Sequence, residues 1–394
     1  MSAPTLPPVA FVAPPAHDHL ADCIDTYRKW LQLDDLGGLY VTLAAVVANR
    51  AKGDPVWLLL VGPPGCGKTE FLNPLIALPD SHAAATLTEA ALLSGTSKKD
   101  TAEGAKGGLL REIGKYGIIV AKDFGSVLSM HRDARSGLLA ALREIYDGEW
   151  TRHLGVDGGK RLHWKGKIGM IAACTPAIDS HHAVMGSMGE RFVLYRIHVT
   201  NDEQHAALAL AHIGREHAMR SELTEATRQV IDNAKRIEPL SPHDNGKLVT
   251  LATFAVKCRS AVERDSRTRE IEYVPDAEAP SRLVLMLGRM LAALRAIGVS
   301  DHDAWRYTVH LALDSMPALR KDVLVTLATL GESHTKTIAD QLRLPTTTVR
   351  RTLEDLTAHH IAVRTHEGKG TQADTYALTQ WAADRWRICV PETS

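Results

Sequence analysis

Eight consecutive residues of this chain have the composition and spacing of a phosphate-binding loop, or P-loop. They follow the pattern G-x-x-x-x-G-K-T and comprise Gly62, Pro63, Pro64, Gly65, Cys66, Gly67, Lys68 and Thr69. Glycines allow successive backbone N–H groups to converge on phosphate oxygens, and the helix that follows adds the positive end of its dipole. In such a loop Lys68 reaches the outer phosphates and the Thr69 hydroxyl holds magnesium. The segment therefore predicts a site for ATP and Mg²⁺.

A hydrolytic site of this kind also needs carboxylates at the end of a neighbouring strand, where they hold the metal and polarise the attacking water. The apolar run Gly117 to Ala121 ends in Lys122, Asp123 and Phe124, so only one acidic residue stands where a pair is expected. Lys122 occupies the position of the metal-side aspartate. Asp123 is therefore the candidate metal ligand or the candidate base, and one carboxylate is not expected to do both. Fast hydrolysis and slow hydrolysis both stay open at this point.

The elements that must position these residues follow from the apolar pattern. Short apolar runs predict buried strands at Pro55 to Val61, Gly117 to Ala121 and Lys167 to Ala173. Helical spacing predicts helices at Leu20 to Leu33, Leu39 to Ala51, Glu70 to Leu78 and Gly137 to Tyr146. Strands separated by helices indicate a parallel sheet covered on both faces. The P-loop then joins a buried strand to a helix, as its chemistry requires.

The rest of the chain is predicted to form two further domains. From Asp202 to Ile297 the pattern is almost wholly helical, which predicts a helical lid. From Met316 onward, helices at Thr337 to Leu342 and Thr346 to His359 precede two alternating strands, which is the order of a winged helix-turn-helix. The predicted boundaries are 1–17 for a disordered tail, 18–200 for the α/β domain, 201–300 for the lid and 301–394 for the winged helix.

Composition narrows the classes of protein that remain. Among 394 residues, Lys and Arg together number 46, as do Asp and Glu. The net charge therefore does not indicate binding of nucleic acid, and any such binding must come from local surfaces. No apolar run reaches the roughly 18 residues needed to cross a membrane. The five cysteines lack CxxC spacing, which argues against a zinc site or a disulfide framework and favours a reducing cytoplasm.

Over roughly Pro55 to Ala293 the chain resembles AAA+ ATPases, and within them the pre-sensor-1-hairpin group that includes the minichromosome-maintenance (MCM) helicases and bacterial enhancer-binding activators. The segment Trp150 to Trp164 alternates around a Gly-rich turn, like the β-hairpin of this group. The resemblance implies that Lys160 and Arg161, near the tip, contact DNA in a central channel. The strand that ends at Thr175 is similar to the one that ends in the polar sensor 1 residue.

Two arginine-bearing segments are also similar to functional segments of this group. Gly189-Glu190-Arg191-Phe192 resembles the arginine-finger segment, whose guanidinium enters the nucleotide site of a neighbouring subunit. Arg196 is the rival candidate for that role. In the lid, Arg282 is assigned as sensor 2, and Arg289 follows seven residues later on the same helical face. The resemblance thus implies an oligomer with ATP bound between subunits.

The predicted winged helix supplies the remaining candidate contacts to DNA. The second helix of such a module enters the major groove. Here it offers Thr347, Arg350 and Arg351, and the hairpin after it adds Arg364 and Lys369. Between His334 and Leu378 there are six Lys and Arg against five Asp and Glu, so the field is weak and salt-sensitive binding is expected. Docking onto a protein is the alternative for this surface.

Together these features predict an α/β P-loop AAA+ fold, with a parallel sheet flanked by helices, a helical lid and a C-terminal winged helix-turn-helix. The favoured function is an ATP-driven motor on DNA, an MCM-like helicase or replication initiator of a bacterial chromosome or mobile element. It is expected to form a hexameric ring in which Asp123, Thr175, Arg191 and Arg282 act on ATP. The loop Ser94 to Gly108 lacks the GAFTGA signature of the activators, which favours a motor.

Two other functions remain open. An ATP-switched winged-helix regulator of DNA, with slow or absent hydrolysis, is favoured by Lys122 in the acidic strand. A remodeller of protein partners is the third, because a β-hairpin in the channel can grip polypeptide as well as DNA.

Overall fold

A computed structural model describes residues 17–94, 107–154, 160–181, 190–365 and 374–390, with positions 154 and 160 described by their backbone alone. The predicted tail, most of the loop after Ser94, the tip of the predicted hairpin and Lys369 lie outside this described part. Among the described helices, none is long and apolar enough to cross a membrane.

The first half of the chain forms a parallel sheet flanked by helices. In chain order the strands of this half are β1 (Trp57–Val61), β2 (Ser81–Ala83), β3 (Tyr116–Ala121), β4 (Glu149–Leu154), β5 (Lys160–Lys165), β6 (Lys167–Cys174) and β7 (Phe192–Arg196), of which β4 and β5 form a separate antiparallel hairpin. Its helices are α1 (His19–Trp30), α2 (Gly37–Arg50), α3 (Lys68–Leu72), α4 (Glu89–Leu92), α5 (Leu109–Ile113), α6 (Gly125–Leu128) and α7 (Arg132–Tyr146). The sheet has the order β2-β3-β6-β1-β7, and all neighbouring strands are parallel. The chain therefore has the α/β P-loop fold that its sequence predicts.

The strand that carries the P-loop lies in the middle of this sheet, and every residue of β1 is buried. Asn49, fully buried on α2, accepts from the Val56 amide at 2.9 Å and donates to its carbonyl at 2.8 Å. A Cβ at Gly169 on β6 would lie 2.5 Å from the Asn49 side chain, so glycine is needed for this close approach. These bonds satisfy the backbone where the sheet begins and fix α2 against the strand that positions the P-loop.

The second half of the chain begins with a helical region and ends with a small mixed module. The helical region contains α8 (Asp202–Ala211), α9 (Glu216–Asp232), α10 (Pro242–Arg259), the hairpin β8 (Glu263–Arg264) and β9 (Ile271–Tyr273), α11 (Ser281–Ala296) and α12 (Asp301–Asp314). The module contains α13 (Ala318–Leu330), β10 (Ser333–His334), α14 (Thr335–Leu342), α15 (Thr346–Ala358), β11 (Ala362–Thr365), β12 (Thr375–Leu378) and α16 (Gln380–Cys389). The predicted helices and two strands occur in the predicted order, β10 and α16 are additional, and the identity of the module as a winged helix stays a prediction.

Several features of the fold differ from the sequence prediction. The helix predicted at Glu70 to Leu78 is α-helical only to Leu72 and continues as a 3-10 helix over Asn73–Ala77. Pro74 explains this, since it lacks the N–H that an α-helix would use there. The strands β2 and β7 and the hairpin β8–β9 were not predicted; β7 is a five-residue buried run that directly follows the proposed arginine finger.

Candidate nucleotide site

The P-loop follows β1 at the carboxyl-terminal edge of the sheet and leads into α3. Gly65 and Gly67 have φ values of 81° and 84°, in the left-handed region that residues with a side chain rarely adopt. A Cβ at Gly62 would lie 2.7 Å from the Cys66 sulfur, so the loop needs glycine there for close approach. A Cβ at Gly65 or Gly67 would meet nothing within 4 Å. This conformation and the open space beside it fit a phosphate cradle.

Lys68 starts α3 and turns back into the loop. Its Nζ donates to the carbonyl oxygens of Gly62 and Pro63 at 2.7 Å each, and it lies 3.5 Å from the sulfur of Cys66. The next residue, Thr69, is exposed. The chain thus holds an ammonium group within the curve of the loop and an accessible hydroxyl beside it, which are the two functional groups that the motif predicts.

Thr175 and Asp123 lie at the same edge of the sheet as the P-loop. The Gly62 amide donates to the carbonyl of Cys174 at 3.2 Å, which puts Thr175 beside the start of the loop. The Phe124 amide donates to the Ala173 carbonyl at 2.7 Å, so Asp123 follows on the next strand. Burial raises the pKa of the Cys174 thiol to about 12, while the nearby charge of Lys68 lowers it and that of Asp123 raises it. The structure therefore brings the candidate groups of the central strands together.

The acidic position contains one bonded carboxylate and one exposed lysine. An Asp123 carboxylate oxygen accepts from the Gly125 amide at 2.9 Å and so fixes the turn into α6. Both Lys122 and Asp123 are exposed. Because a carboxylate has two oxygens, this bond is compatible with a metal contact.

The donor set fits magnesium held together with a nucleotide. No group of three or more His, Cys, Asp or Glu side chains suited to a metal occurs among the described residues. Magnesium is usually held by one or two carboxylates together with phosphate oxygens and waters, so it needs no such cluster. The Asp123 carboxylate and the Thr69 hydroxyl supply oxygen donors of the required type.

A cleft of about 620 Å³ opens from the P-loop. Its walls are the P-loop, the segment after α1, and the first two helices of the helical region; they include Trp30, Leu31, Leu33, Val199, His205, Ala206, Ala209, His212, Met219 and Arg220. Asp34 ties two of these walls together, because it accepts from the Thr200 amide at 2.7 Å and lies 3.4 Å from the His205 ring. The Thr200 hydrogen bond holds the pKa of Asp34 well below its usual range.

The wall farther along this cleft combines apolar surface with one buried acceptor. The His212 ring lies over Trp30 with centroids 4.6 Å apart, and its Nε2 lies 3.1 Å from the carbonyl of Lys29. A carbonyl only accepts, so Nε2 is the donor, and in this tautomer Nδ1 is an acceptor. Nδ1 is buried and has no hydrogen-bond partner among the described residues. Sequence analysis missed these residues, because nothing in the local pattern says that a lid histidine faces the P-loop.

The arginines assigned from the AAA+ resemblance lie at the opposite edge of the sheet. Arg191 directly precedes β7, whose first residue pairs with Trp57 at the start of β1. Arg282 and Arg289 line a cavity of about 340 Å³ with Asp54 and Asp147. The length of β1 alone, roughly 13 Å at 3.3 Å per residue, separates this edge from the P-loop. Neither Arg191 nor Arg282 is therefore positioned to contact a nucleotide at its own P-loop.

Each of these arginines is held by an acidic partner. Arg191 donates to Asp147 at 2.8 Å, lies over the ring of Tyr146 at 5.4 Å, and is buried. Arg282 is 3.0 Å from Glu278 and keeps 32% of its side chain exposed. Glu278 also accepts from the buried Arg259 at 2.7 Å, which links the start of α11 to the end of α10. Of the two assigned arginines, Arg282 is thus the more accessible.

Arg196, the rival arginine finger, has a different environment. It ends β7 beside Val61, near the P-loop of its own chain. Its guanidinium donates to both carboxylate oxygens of Asp179, at 2.9 and 2.8 Å, and to the Met316 carbonyl at 3.0 Å. It is buried and tied to two separate segments, since its backbone amide also donates to Asp314, two residues before Met316, at 2.7 Å. These contacts assign Arg196 a structural role within its own chain.

The candidate DNA contacts lie in two separate places. The β4–β5 hairpin has the register Arg152↔Leu162, and Trp150 and Trp164 form its buried base. Arg161 is exposed on it; the tip and the Lys160 side chain lie outside the described part of the structure. In the C-terminal module Thr347, Arg350 and Arg351 are exposed on α15, and Arg364 forms an ion pair with Asp374.

Comparisons with known proteins give few similarities. The chain matches no family model and no curated protein. Among solved structures, it is similar to NtrX from Brucella abortus in complex with ADP, at 14% identity and a TM-score of 0.33 over 86% of this chain and 72% of that chain. It is also similar to the apo structure of the NrS-1 C-terminal region (305–718), at 13% identity and a TM-score of 0.26 over 91% of this chain and 75% of that chain.

Proposed function

We propose that this P-loop protein is an AAA+ ATPase that binds ATP and Mg²⁺ in the cleft beside the P-loop, assembles into a ring and uses hydrolysis to move on DNA. One observation supports the proposal: Arg191 and Arg282 lie at the sheet edge opposite their own P-loop, so any nucleotide that they contact would belong to another copy. An arginine supplied by a neighbour offsets charge on the transferred phosphoryl group. The site is then complete only between subunits. A hexamer and a cytoplasmic location belong to this proposal.

Within the site each residue of the chain has a separate task. Lys68 binds the outer phosphates, and Thr69 and Asp123 hold the metal or orient the attacking water. Bound Mg²⁺ would bridge phosphate oxygens and offset their negative charge. Thr175, beside the start of the P-loop, can hydrogen-bond a phosphate or the water through its hydroxyl.

The far wall of the cleft suits the base of ATP. Leu31, Leu33 and Ala209 offer apolar surface to a flat ring, and the Nδ1 acceptor of His212 matches the exocyclic amino group of adenine. A buried acceptor without a partner costs about 1–3 kcal/mol, so a ligand that donates to it gains that amount. Guanine presents a carbonyl where adenine has its amino group, which favours ATP over GTP.

A second candidate function rests on Lys122. An exposed ammonium next to the sole acidic residue of the strand end would disfavour magnesium, and one Asp123 oxygen is already used in the turn to α6. In this alternative the protein is an ATP-switched DNA-binding regulator that assembles on ATP and hydrolyses it slowly or not at all.

Turnover in the presence of DNA tests the proposal. We expect the wild-type chain to hydrolyse ATP and to do so faster when single- or double-stranded DNA is added, measured as phosphate release at fixed ATP and magnesium. Arg161→Ala should retain basal turnover but lose part of the stimulation, because its exposed guanidinium is a proposed contact to DNA. Tight ATP binding with negligible turnover under every condition would favour the regulator. Turnover that no form of DNA changes would contradict the proposal of a DNA motor.

Mixing of inactive variants tests the placement of the arginines. Lys68→Ala and Arg282→Ala chains should each be inactive alone, whereas an equal mixture should regain up to about a quarter of wild-type turnover, since random assembly pairs an intact P-loop with an intact arginine at that fraction of interfaces. The same is expected with Arg191→Ala.

Arg191 is buried against Asp147, so its variant requires a check of folding by thermal unfolding, whereas the accessible Arg282 allows the test without that concern. Arg289→Ala is the control, because it removes the same charge from the same helix face. It reports whether any loss of positive charge at this edge lowers turnover in the same way. Mixtures of folded variants that show no more activity than the sum of their parts would rule out sharing of the site between subunits.

A further inference from the structure

The hairpin β8–β9 projects a rigid turn that sequence analysis did not predict. In the turn, the Asp265 carboxylate accepts from the amides of Arg267 and Thr268 at 2.8 and 2.6 Å, and the Arg269 amide donates to the Asp265 carbonyl at 3.0 Å. Arg269 adopts a left-handed φ of 64°, which is uncommon for a residue other than glycine. These bonds fix the turn internally, and the side chains of Arg267 and Arg269 are both exposed.

One guanidinium joins this turn to helix α15 of the C-terminal module. Arg264 donates to the carbonyl of Arg269 and to the carbonyl of Arg351, at 2.8 Å each. It also donates to Asp355 at 2.6 Å. Because a single planar group contacts both carbonyls, the backbones of the turn and of α15 are neighbours, and both segments carry exposed arginines.

The acidic residues of α15 are already neutralised on this side. Arg264 lies 3.1 Å from Glu354, and Arg320 lies 3.1 Å from the second oxygen of Asp355. Arg320 also donates to the carbonyl of Ser260 at 2.5 Å, and His359 lies 3.1 Å from the Ala261 carbonyl, so the connection between the helical region and α15 is bonded at several points. Arg350 also lies 3.7 Å from Glu354. Arg267, Arg269, Arg350 and Arg351 are the exposed cations that a polyanion would meet here, and Glu263, Glu270 and Glu272 are exposed acids of the same hairpin.

We propose that the turn 265–270 extends the DNA-binding surface of α15, with Arg267 and Arg269 contacting backbone phosphates next to those contacted by Arg350 and Arg351. This inference rests on the proposed binding of DNA by the C-terminal module. Guanidinium groups bind phosphate oxygens in a bidentate manner, and contacts of this kind position a protein on the duplex without reading its sequence. The hairpin would thus make the helical region a direct part of the DNA interface.

The salt dependence of duplex binding tests this surface. The full-length chain is titrated into a fluorescein-labelled duplex of random sequence, and the dissociation constant is measured by anisotropy at several KCl concentrations. Each phosphate contact contributes about 0.9 to the slope of log affinity against log salt, so Arg267→Ala with Arg269→Ala should reduce the slope by about 1.8 and weaken binding at low salt. Lysine at both positions should restore most of the slope, because a phosphate contact requires charge more than shape.

Two double variants separate the possible outcomes. Lys235→Ala with Arg236→Ala removes the same charge from an exposed segment outside the hairpin and should leave the slope unchanged. Arg350→Ala with Arg351→Ala should reduce the slope as much as the hairpin variant does. A loss of affinity in the α15 variant, together with a hairpin variant that has the same slope as the Lys235 and Arg236 control, would show that the hairpin does not contact DNA. That result would leave the proposed binding of DNA by the C-terminal module intact. If the wild-type chain does not bind the duplex, the DNA-binding proposal fails and this inference fails with it.

Discussion

Lys68→Ala is expected to lower ATP affinity by about 100-fold or more and to abolish turnover and nucleotide-dependent assembly. Hydrogen bonds to charged groups contribute about 1.5–3 kcal/mol each, and two such bonds from the Lys68 ammonium to phosphate oxygens correspond to at least this loss. The same ammonium bonds the carbonyls of Gly62 and Pro63, so its removal also takes away two internal ties of the loop. Both effects act against nucleotide binding.

Titration with a fluorescent ATP analogue, phosphate release and size-exclusion chromatography with and without ATP measure the three properties. Lys115→Ala is the matched control, since Lys115 is exposed just before β3, at the opposite edge of the sheet from the P-loop. Thermal unfolding of both variants shows whether the fold persists. If the Lys68→Ala chain binds and hydrolyses ATP like the wild type, the nucleotide site does not lie at the P-loop.

The sequence predicts correctly those elements whose pattern lies within a short stretch of the chain. The glycine spacing of the P-loop, the continuous apolar runs of β1, β3 and β6 and the helical pattern of α7 each lie within a short window, and the structure has each of them within a few residues of the predicted bounds. The same holds for the grouping of Lys68, Asp123 and Thr175, because parallel strands place the residues that follow them at one edge of the sheet.

Features that depend on packing between distant segments could not be predicted. The placement of Arg191 depends on the pairing of β7 with β1. These strands are far apart in the chain, so a local sequence pattern does not show that they pair. His212 faces the P-loop cleft only because the helical region folds back over Trp30. The hairpin at Arg264 is a two-residue strand against a three-residue one, and its short polar sequence gives no alternating pattern to recognise.

Helices α8 and α9 line the cleft, and the segment after α10 is bonded to α15 through Arg264 and Arg320. The helical region therefore contributes both to the nucleotide cleft and to the surface that we propose binds DNA.

Asp123→Asn is expected to reduce turnover by about 100-fold or more while ATP binding persists, because general-base and metal-orienting groups typically contribute factors of this size or larger. Asparagine can still accept from the Gly125 amide, so the turn into α6 is retained and only the charge is lost. Phosphate release together with a binding titration distinguishes this result from a loss of affinity. An Asp123→Asn chain with wild-type turnover would assign the catalytic carboxylate elsewhere.

Lys122→Asp is the companion variant that separates the motor from the switch. Lys122 and Asp123 follow the end of β3, where the chain bends, and both are exposed. The Gly125 amide holds the Asp123 carboxylate, so its position does not depend on Lys122. We therefore expect Lys122→Asp to change turnover little. A large increase would mean that the ammonium opposes magnesium and holds the wild-type chain as a slow switch, and a loss of turnover would mean that Lys122 itself takes part in the site.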